Sequence, residues 1–403
     1  MPGEQYFDGT ATVRVAGDDL TFSWSTEGLP IPPDLMTRAV SGILGSGGAP
    51  HPGSTVDRIL DIVVGSRHTR FDPRPDADGR RILRERIERA VSRNEPVPFS
   101  TMWGCIKHYV GDEDQGIDIA EVFTTLRLTQ LVADIAEVYE PGARISLIIE
   151  DFGVWYEDAY GRPPAVQKSI TKGSLRYAEE LVGLLDTVAG KTVRPYLFHE
   201  TVEVDYRECI AQAEHNRDLL HAYWTAGEDC RIQFDELCAA GWRGPIGAET
   251  RRHYLTRLEK LYPAESEEER IDRVVRYLAM VLLYEQTGAL RKMDPHAIRL
   301  SFYQPAPGIA QGRALGRVHL RGLPRRWCSA AMPPWTAKGC WTVEADGTVR
   351  PRIESFLALR STGATYHRGS LGVTRAGRTV GLRMDVVLRD GRPARALALK
   401  QYG

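Results

Sequence analysis

The sequence has no cysteine pair at metal-binding spacing, no long apolar run, no excess of either charge and none of the common phosphate-cradling loops. Its six cysteines (Cys105, Cys209, Cys230, Cys238, Cys328 and Cys340) are scattered over 403 residues without a C-x-x-C pair. That argues against a structural zinc site and predicts reduced thiols in a soluble, cytoplasmic protein. The most apolar stretch, Leu278 to Tyr284, is far too short to span a membrane, so no membrane partner is expected. The first residues, Met1 to Asp8, contain no basic segment followed by an apolar run, and no signal peptide is expected. With 52 basic and 53 acidic side chains the net charge is -1, so nucleic acid is not expected as the main partner, although a small local phosphate site stays open.

Several catalytic templates are missing as well. There is no G-x-x-x-x-G-K-[ST], no G-x-G-x-x-G after a strand and no H-E-x-x-H. Ser169 to Lys172 matches S-x-x-K, but its companion motifs are lacking. Asp112 to Gly116 resembles the start of a calcium loop, yet its twelfth position is Phe123, which cannot ligate calcium. The ten histidines show no pair spaced as two metal ligands on one helix turn.

What is present is organised around residues 116–160. Ile119, Phe123, Leu126, Val132 and Ile135 recur on one helical face and predict a helix from Ile117 to Val138. Tyr139-Glu140-Pro141-Gly142 stops it. The next segment, Arg144 to Glu150, contains Leu147-Ile148-Ile149, a run expected of a strand covered on both faces. An acid-rich, aromatic loop follows, with Glu150, Asp151, Phe152, Gly153, Trp155, Glu157 and Asp158 at the strand's carboxyl end, where ligands sit in open α/β sheets.

Elsewhere, alternation over residues 10–25 predicts a β-hairpin turning at Gly17-Asp18. Residues 26–56 read as loop around a short helix at 34–43. Helices are expected at 55–64, 78–93, 171–188, 206–223, 231–240 and 267–289, the last opened by a Ser266/Glu269 capping box. The basic helix Arg80 to Arg93 reads as a solvated face. Pro96 and Pro98 favour an extended 96–104. Strands dominate the tail, at 297–302, 314–320, 341–343, 352–359 and 379–387. This pattern predicts an α/β fold: a Rossmann-like core sheet with flanking helices and a β-rich C-terminal part, on the same sheet or beside it. The expected divisions are an N-terminal hairpin and loop over 1–54, a catalytic domain over 55–360 and a β extension over 361–403.

Three constellations carry chemistry. Phe99 to His108 places Lys107 near Trp103 and Cys105, where a lysine can lose its proton and attack a carbonyl; the alternative is an ordinary surface lysine. The acids at 150–158 suit a general base or a site for a substrate ammonium; otherwise they form a solvated loop. In Asp294 to Tyr303, Arg299 and Ser301 alternate with Ile298, Leu300 and Phe302, which puts the polar pair on one face of a strand. The arginine fork suits a carboxylate or a phosphate.

These segments, in this order, resemble the pyoverdine/dityrosine biosynthesis family, whose members include isonitrile synthases. The resemblance rests on Phe99-Ser100 with Gly104 and Lys107, on Gly116-Ile-Asp-Ile-Ala-Glu121, on Tyr139-x-Pro-Gly-Ala143, and on Glu150-Asp151-Phe-Gly153. Farther on, Pro295-His296-Ala-Ile-Arg299-Leu-Ser301 is similar to a P-x-x-I-R-L-S-I-H strand, and Pro333-Pro334-Trp335 with Cys340-Trp341-Thr-Val343 to a T-P-W-H segment and its hairpin. The match spans residues 55 to 360. It departs from the family at Phe152, inserted between acid and glycine, and at Thr336 and Tyr303, where histidines are usual.

The resemblance implies an enzyme of natural-product biosynthesis. Such an enzyme converts an amino acid's α-amine to an isonitrile, takes the carbon from ribulose 5-phosphate, and needs neither metal nor organic cofactor. It implies small-molecule partners, an amino acid and a sugar phosphate, and leaves a homodimer open. Lys107, Glu121, Glu150, Asp151 and His296 are the expected catalytic residues, with His296 and Lys107 also suited to anionic groups. Arg299, Ser301, Trp103, Trp155 and Trp335 are the expected substrate-binding residues. The rivals are a relative that only condenses or N-formylates its amino acid, and a binding protein without catalysis.

Overall fold

A computed structural model describes residues 5–16, 19–24, 52–65, 68–69, 77–105, 116–202, 205–225, 255–256, 258–259, 265–288, 293–302, 318–319, 334–343, 349–355, 365–375 and 378–388. Strands β1 (Gln5–Ala16) and β2 (Asp19–Trp24) form the N-terminal hairpin, with Ala16 opposite Asp19. Helices α1 (Thr55–Val64) and α2 (Ala77–Ser92) lead into β3 (Val97–Gly104). Next come α3 (Ile119–Ala136), β4 (Ala143–Glu150), the one-turn α4 (Asp151–Val154) and a π-helical turn at Trp155–Ala159. Then follow α5 (Pro164–Val188), β5 (Val193–Leu197), the short α6 (Phe198–Thr201), α7 (Tyr206–Thr225) and α8 (Glu267–Thr287). The chain continues with β6 (Ile298–Ser301), β7 (Val318–His319), β8 (Ala337–Val343), β9 (Val349–Ser355), β10 (Thr365–Arg375) and β11 (Arg378–Leu388). The helices expected at 34–43 and 231–240 lie outside the described residues. Among the described residues no helix is long and apolar enough to cross a membrane.

Local chemistry sets the element ends. Asp118 and Ser266 cap α3 and α8, each in a reciprocal capping box with the glutamate three residues on. After α3, Gly142 takes φ 66°, a left-handed conformation glycine enters without steric cost. Its carbonyl accepts from Val97 N–H at 3.0 Å, so the turn is tied to the start of β3. Tyr139 Oη donates toward the Glu95 carbonyl at 3.0 Å and secures the same corner.

Five strands form a parallel sheet in the order β5-β4-β3-β6-β7. The chain moves outward from β3 through β4 to β5, then returns to β6 on the other side of β3. This is the doubly wound, Rossmann-like order, and the α/β expectation holds. The β-rich tail lies beside this sheet. Strands β8 to β11 join β1 and β2 in a second sheet, ordered β2-β1-β10-β11-β8-β9, in which β1 runs parallel to β10. Helices α3 and α5 pack against both sheets.

Strand periodicity sorts the parallel sheet into two faces. Phe99 and Trp103 on β3, Ile145, Leu147 and Ile149 on β4, and Ile298 and Leu300 on β6 share one buried core with α1, α2, α3 and α5. Ile148 on the opposite face belongs to a second core with Phe152, Tyr156 and Phe198 and with α7 and α8, and Met102 packs against it.

Three local expectations change. β5 was not expected because Pro195 interrupts its pattern; β5 is an edge strand, where a missing N–H is tolerated. β10 was not expected because Gly369 and Gly372 weaken its pattern; pairing with β1 and β11 on both sides forms it. The expected acid-rich loop after β4 is helical, because α4 and the π-helical turn follow β4 directly and Phe152 and Tyr156 are buried in the second core.

Candidate active site

The strand order reverses between β3 and β6, which makes the carboxyl ends of these two strands the topological switch point. On the α7/α8 face, Ser100 stands in register with Arg299 on one side and Ser146 on the other. Ser301 follows on the same face, in register with His319. Arg299 and Ser301 are half-buried. Ser100 is buried, and its Oγ has no hydrogen-bond partner among the described residues. A row of small hydroxyls beside a guanidinium is suited to an anionic oxygen cluster.

Glu150 ends β4 in register with Gly104, the last residue of β3. Asp151 opens α4 and pairs with His199, the second residue of α6. The same carboxylate accepts the His199 backbone N–H at 3.4 Å. Both acids lie within electrostatic reach of Cys105, just past β3. Burial, reinforced by these carboxylates against a hydrogen bond from Ser174, pushes the Cys105 thiol up to about 12. Cys105 is therefore a neutral thiol near pH 7 and not a nucleophile. Gly153 leaves room for α8, since a Cβ there would stand 2.1 Å from Tyr284 Oη. Trp155, half-buried, packs its ring 5.4 Å from Tyr160 and 6.2 Å from Phe152, beside this edge.

Several expected site residues do not join this edge. Glu121 is fully buried on α3. Trp103 Nε1–H donates to Tyr177 Oη at 3.0 Å, Tyr177 donates to Glu121 Oε1 at 2.9 Å, and Asp118 N–H donates to Glu121 Oε2 at 2.8 Å. Burial and then the Glu121 carboxylate push the Tyr177 hydroxyl well up, so it stays a donor. Glu121 thus satisfies buried donors on the α3/α5 side of the sheet. Trp103 lies on that side too, and Trp335 packs on it and on Phe302, at 5.6 and 5.8 Å between rings. Neither indole walls the α7/α8 face, because strand alternation turns Trp103 the other way. His296 precedes β6 and lies at the amino end of the sheet, where its N–H donates to Asp294 and Asp294 pairs with Arg144 at 3.1 Å. From Arg144 to Glu150, β4 runs about 20 Å, so His296 is at the opposite end from Glu150. Lys107 lies outside the described residues. Among the described residues no group of three or more His, Cys, Asp or Glu side chains could hold a metal ion.

Sequence reasoning missed His199, because it follows the unexpected β5, and a lone histidine carries no pattern. Ser100 stood within a noted segment, but only the register with Arg299 singles it out.

The geometry is that of a doubly wound α/β protein with Glu150, Asp151 and His199 at the carboxyl edge of its parallel sheet and Ser100, Arg299 and Ser301 farther back on its α7/α8 face. No family model and no curated protein sequence matches the chain. Among solved structures, the fold is similar to the crystal structure of PvcA from Pseudomonas aeruginosa, with a TM-score of 0.50 and 18% sequence identity. The alignment covers 82% of this chain and 99% of PvcA. At that identity the likeness is one of fold.

Proposed function

We propose that this protein is an isonitrile synthase-like enzyme of natural-product biosynthesis. In this reading it joins the α-amine of an amino acid to the ketone of ribulose 5-phosphate and leaves one sugar carbon on nitrogen. The reading is carried by one coincidence: the ordered motifs of the pyoverdine/dityrosine family fall on a chain whose fold is similar to PvcA, a protein of the pyoverdine/isonitrile synthase family. In this reading Arg299, Ser301 and Ser100 meet the sugar phosphate on the α7/α8 face of β3 and β6, Glu150 acts from the carboxyl end of β4, and Lys107 keeps its expected catalytic role. A phosphate beside an arginine fork and hydroxyls forms charge-assisted hydrogen bonds, the strong kind.

The test is mass spectrometry of the purified protein incubated with ribulose 5-phosphate and a pool of proteinogenic amino acids. An amino acid that gains one carbon and loses two hydrogens supports the reading; absence of any new product counts against it. Arg299→Ala is expected to abolish stabilisation of the protein by ribulose 5-phosphate while leaving it folded. Full retention of that stabilisation would remove Arg299 from the phosphate site. Thr336 and Tyr303, in place of two proton-carrying histidines, favour a second reading in which the enzyme stops at an N-formyl amino acid or a sugar-phosphate adduct. Product mass separates the two.

A further inference from the structure

The strongest unassigned feature is the pairing of Asp151 with His199. These residues sit just past the carboxyl ends of neighbouring strands, β4 and β5, on the edge that also carries Glu150. The carboxylate holds His199 twice, through the backbone N–H at 3.4 Å and through ring Nδ1. An ionised carboxylate only accepts hydrogen bonds, so Nδ1 must carry the hydrogen. In the neutral ring that leaves Nε2 as the lone-pair nitrogen, the form a general base requires. Nε2 has no partner among the described residues, and the His199 side chain is 48% exposed. The ring is thus fixed in tautomer and orientation, with its basic atom open to a ligand.

We propose that His199, oriented by Asp151, is a proton-transfer residue of this enzyme. The proposal rests on the amine-plus-ketone reading given above. Nε2 takes one proton from the substrate ammonium, giving a free amine and an imidazolium stabilised by Asp151. The amine adds to the sugar ketone, and its proton passes to the new alkoxide, giving a carbinolamine. The imidazolium returns its proton to that hydroxyl, the C–O bond breaks and water leaves. The products are a protonated imine and neutral His199. One ammonium and one ketone give one protonated imine and one water, with no oxidant or reductant.

His199 and Arg299 are widely separated on the sheet. Arg299 on β6 is three strands from β5 and level with Arg194, five residues before His199. At about 4.8 Å per strand and ~3.3 Å per residue the two α-carbons are on the order of 20 Å apart. The extended Arg299 side chain and an amino acid joined to a pentose phosphate would have to span this distance together.

The test uses the full-length protein with ribulose 5-phosphate and a pool of proteinogenic amino acids, with borohydride trapping of the imine and product mass as readouts. His199→Gln is expected to lose about 100-fold or more in rate. His199→Ala should recover part of its rate when imidazole is added, an effect that a structural role would not produce. Asp151 acts through His199 as a positioning residue: Asp151→Asn should lower kcat with KM little changed, and Asp151→Glu should restore part of kcat. Thermal unfolding confirms that each variant is folded. If wild type turns over and folded His199→Gln retains its rate within about twofold, or folded His199→Ala gains nothing from imidazole, the role of His199 falls and the proposed function stands. If wild type gives neither imine nor product, the proposed function falls and takes this inference with it.

Discussion

The two faces of the parallel sheet are built from the same strands yet meet different chemistry. Toward α3 and α5, β3, β4 and β6 present Phe99, Trp103, Ile145, Leu147, Ile149, Ile298 and Leu300, all buried. On that side Trp103, Tyr177, Glu121 and Asp118 close a buried hydrogen-bonded chain, while the Thr125 hydroxyl of α3 has no partner among the described residues. Toward α7 and α8, the same strands present Ser100, Ser146, Arg299 and Ser301, and the Ser100 hydroxyl is unsatisfied among the described residues. A face whose aromatic and acidic groups bond to one another stabilises the fold. A face that keeps a buried hydroxyl beside an arginine gives up some stability and gains a place for a ligand.

That contrast can be broken by substitution. The largest effect is expected at Trp103→Ala, which removes a fully buried indole and leaves Tyr177 without its donor; equilibrium unfolding should show a loss of about 3–5 kcal/mol. A loss under about 1 kcal/mol would mean that the α3/α5 face is not the stabilising one. Glu121→Ala should cost about 2–4 kcal/mol, because Tyr177 Oη and Asp118 N–H lose a buried acceptor together. If Glu121→Ala instead keeps full stability but loses turnover, Glu121 is catalytic after all.

Gly153→Ala is expected to cost about 1–3 kcal/mol, since the new methyl group meets the Tyr284 hydroxyl and moves α8 from the carboxyl edge. Unchanged thermal stability would show that α8 yields freely. Ser100→Ala should leave stability within about 0.5 kcal/mol of wild type, or raise it, because the hydroxyl removed is buried and unpaired. A drop of more than ~1 kcal/mol would show that Oγ has a structural partner.

The smallest effect concerns Asp272 on α8. Burial opposes its ionisation, but the Arg276 and Arg217 guanidiniums outweigh burial and hold its carboxyl below the usual range. Its folded value is thus depressed. The stabilisation is present above about pH 4, the ordinary carboxylate value, and is lost as pH falls through the lower folded value. The stability difference between wild type and Asp272→Asn should therefore shrink in acid. A difference that grows as pH falls would reverse the sign of this coupling.

Much of the frame was legible in the residues. Helix α1 falls where the apolar spacing predicts, α8 opens at its predicted capping box, and β4 ends at the expected acids. The misses share a cause. β5 and β10 carry Pro195, Gly369 and Gly372, which weaken a local pattern, and neighbouring strands supply the hydrogen bonds that local sequence does not announce. Of the candidate site, some residues stood out in the sequence. Arg299 and Ser301 were separable from their apolar neighbours by alternation alone. The buried role of Glu121 was not legible, because nothing in its own segment reveals Tyr177, which comes from α5.

By itself the sequence determined the helical and strand periods, the caps, the stop at Pro141-Gly142 and the alternation that divides each strand into two sides, because these depend on neighbours within a few residues. Only the tertiary structure decided which side of the sheet each polar residue faces together with which others. It brought Ser100 beside Arg299, set His199 against Asp151, turned Trp103 and Glu121 into the α3/α5 core and left His296 at the far end of the sheet. Those pairings join residues far apart in the chain, and they follow from strand order and register, which no single segment encodes.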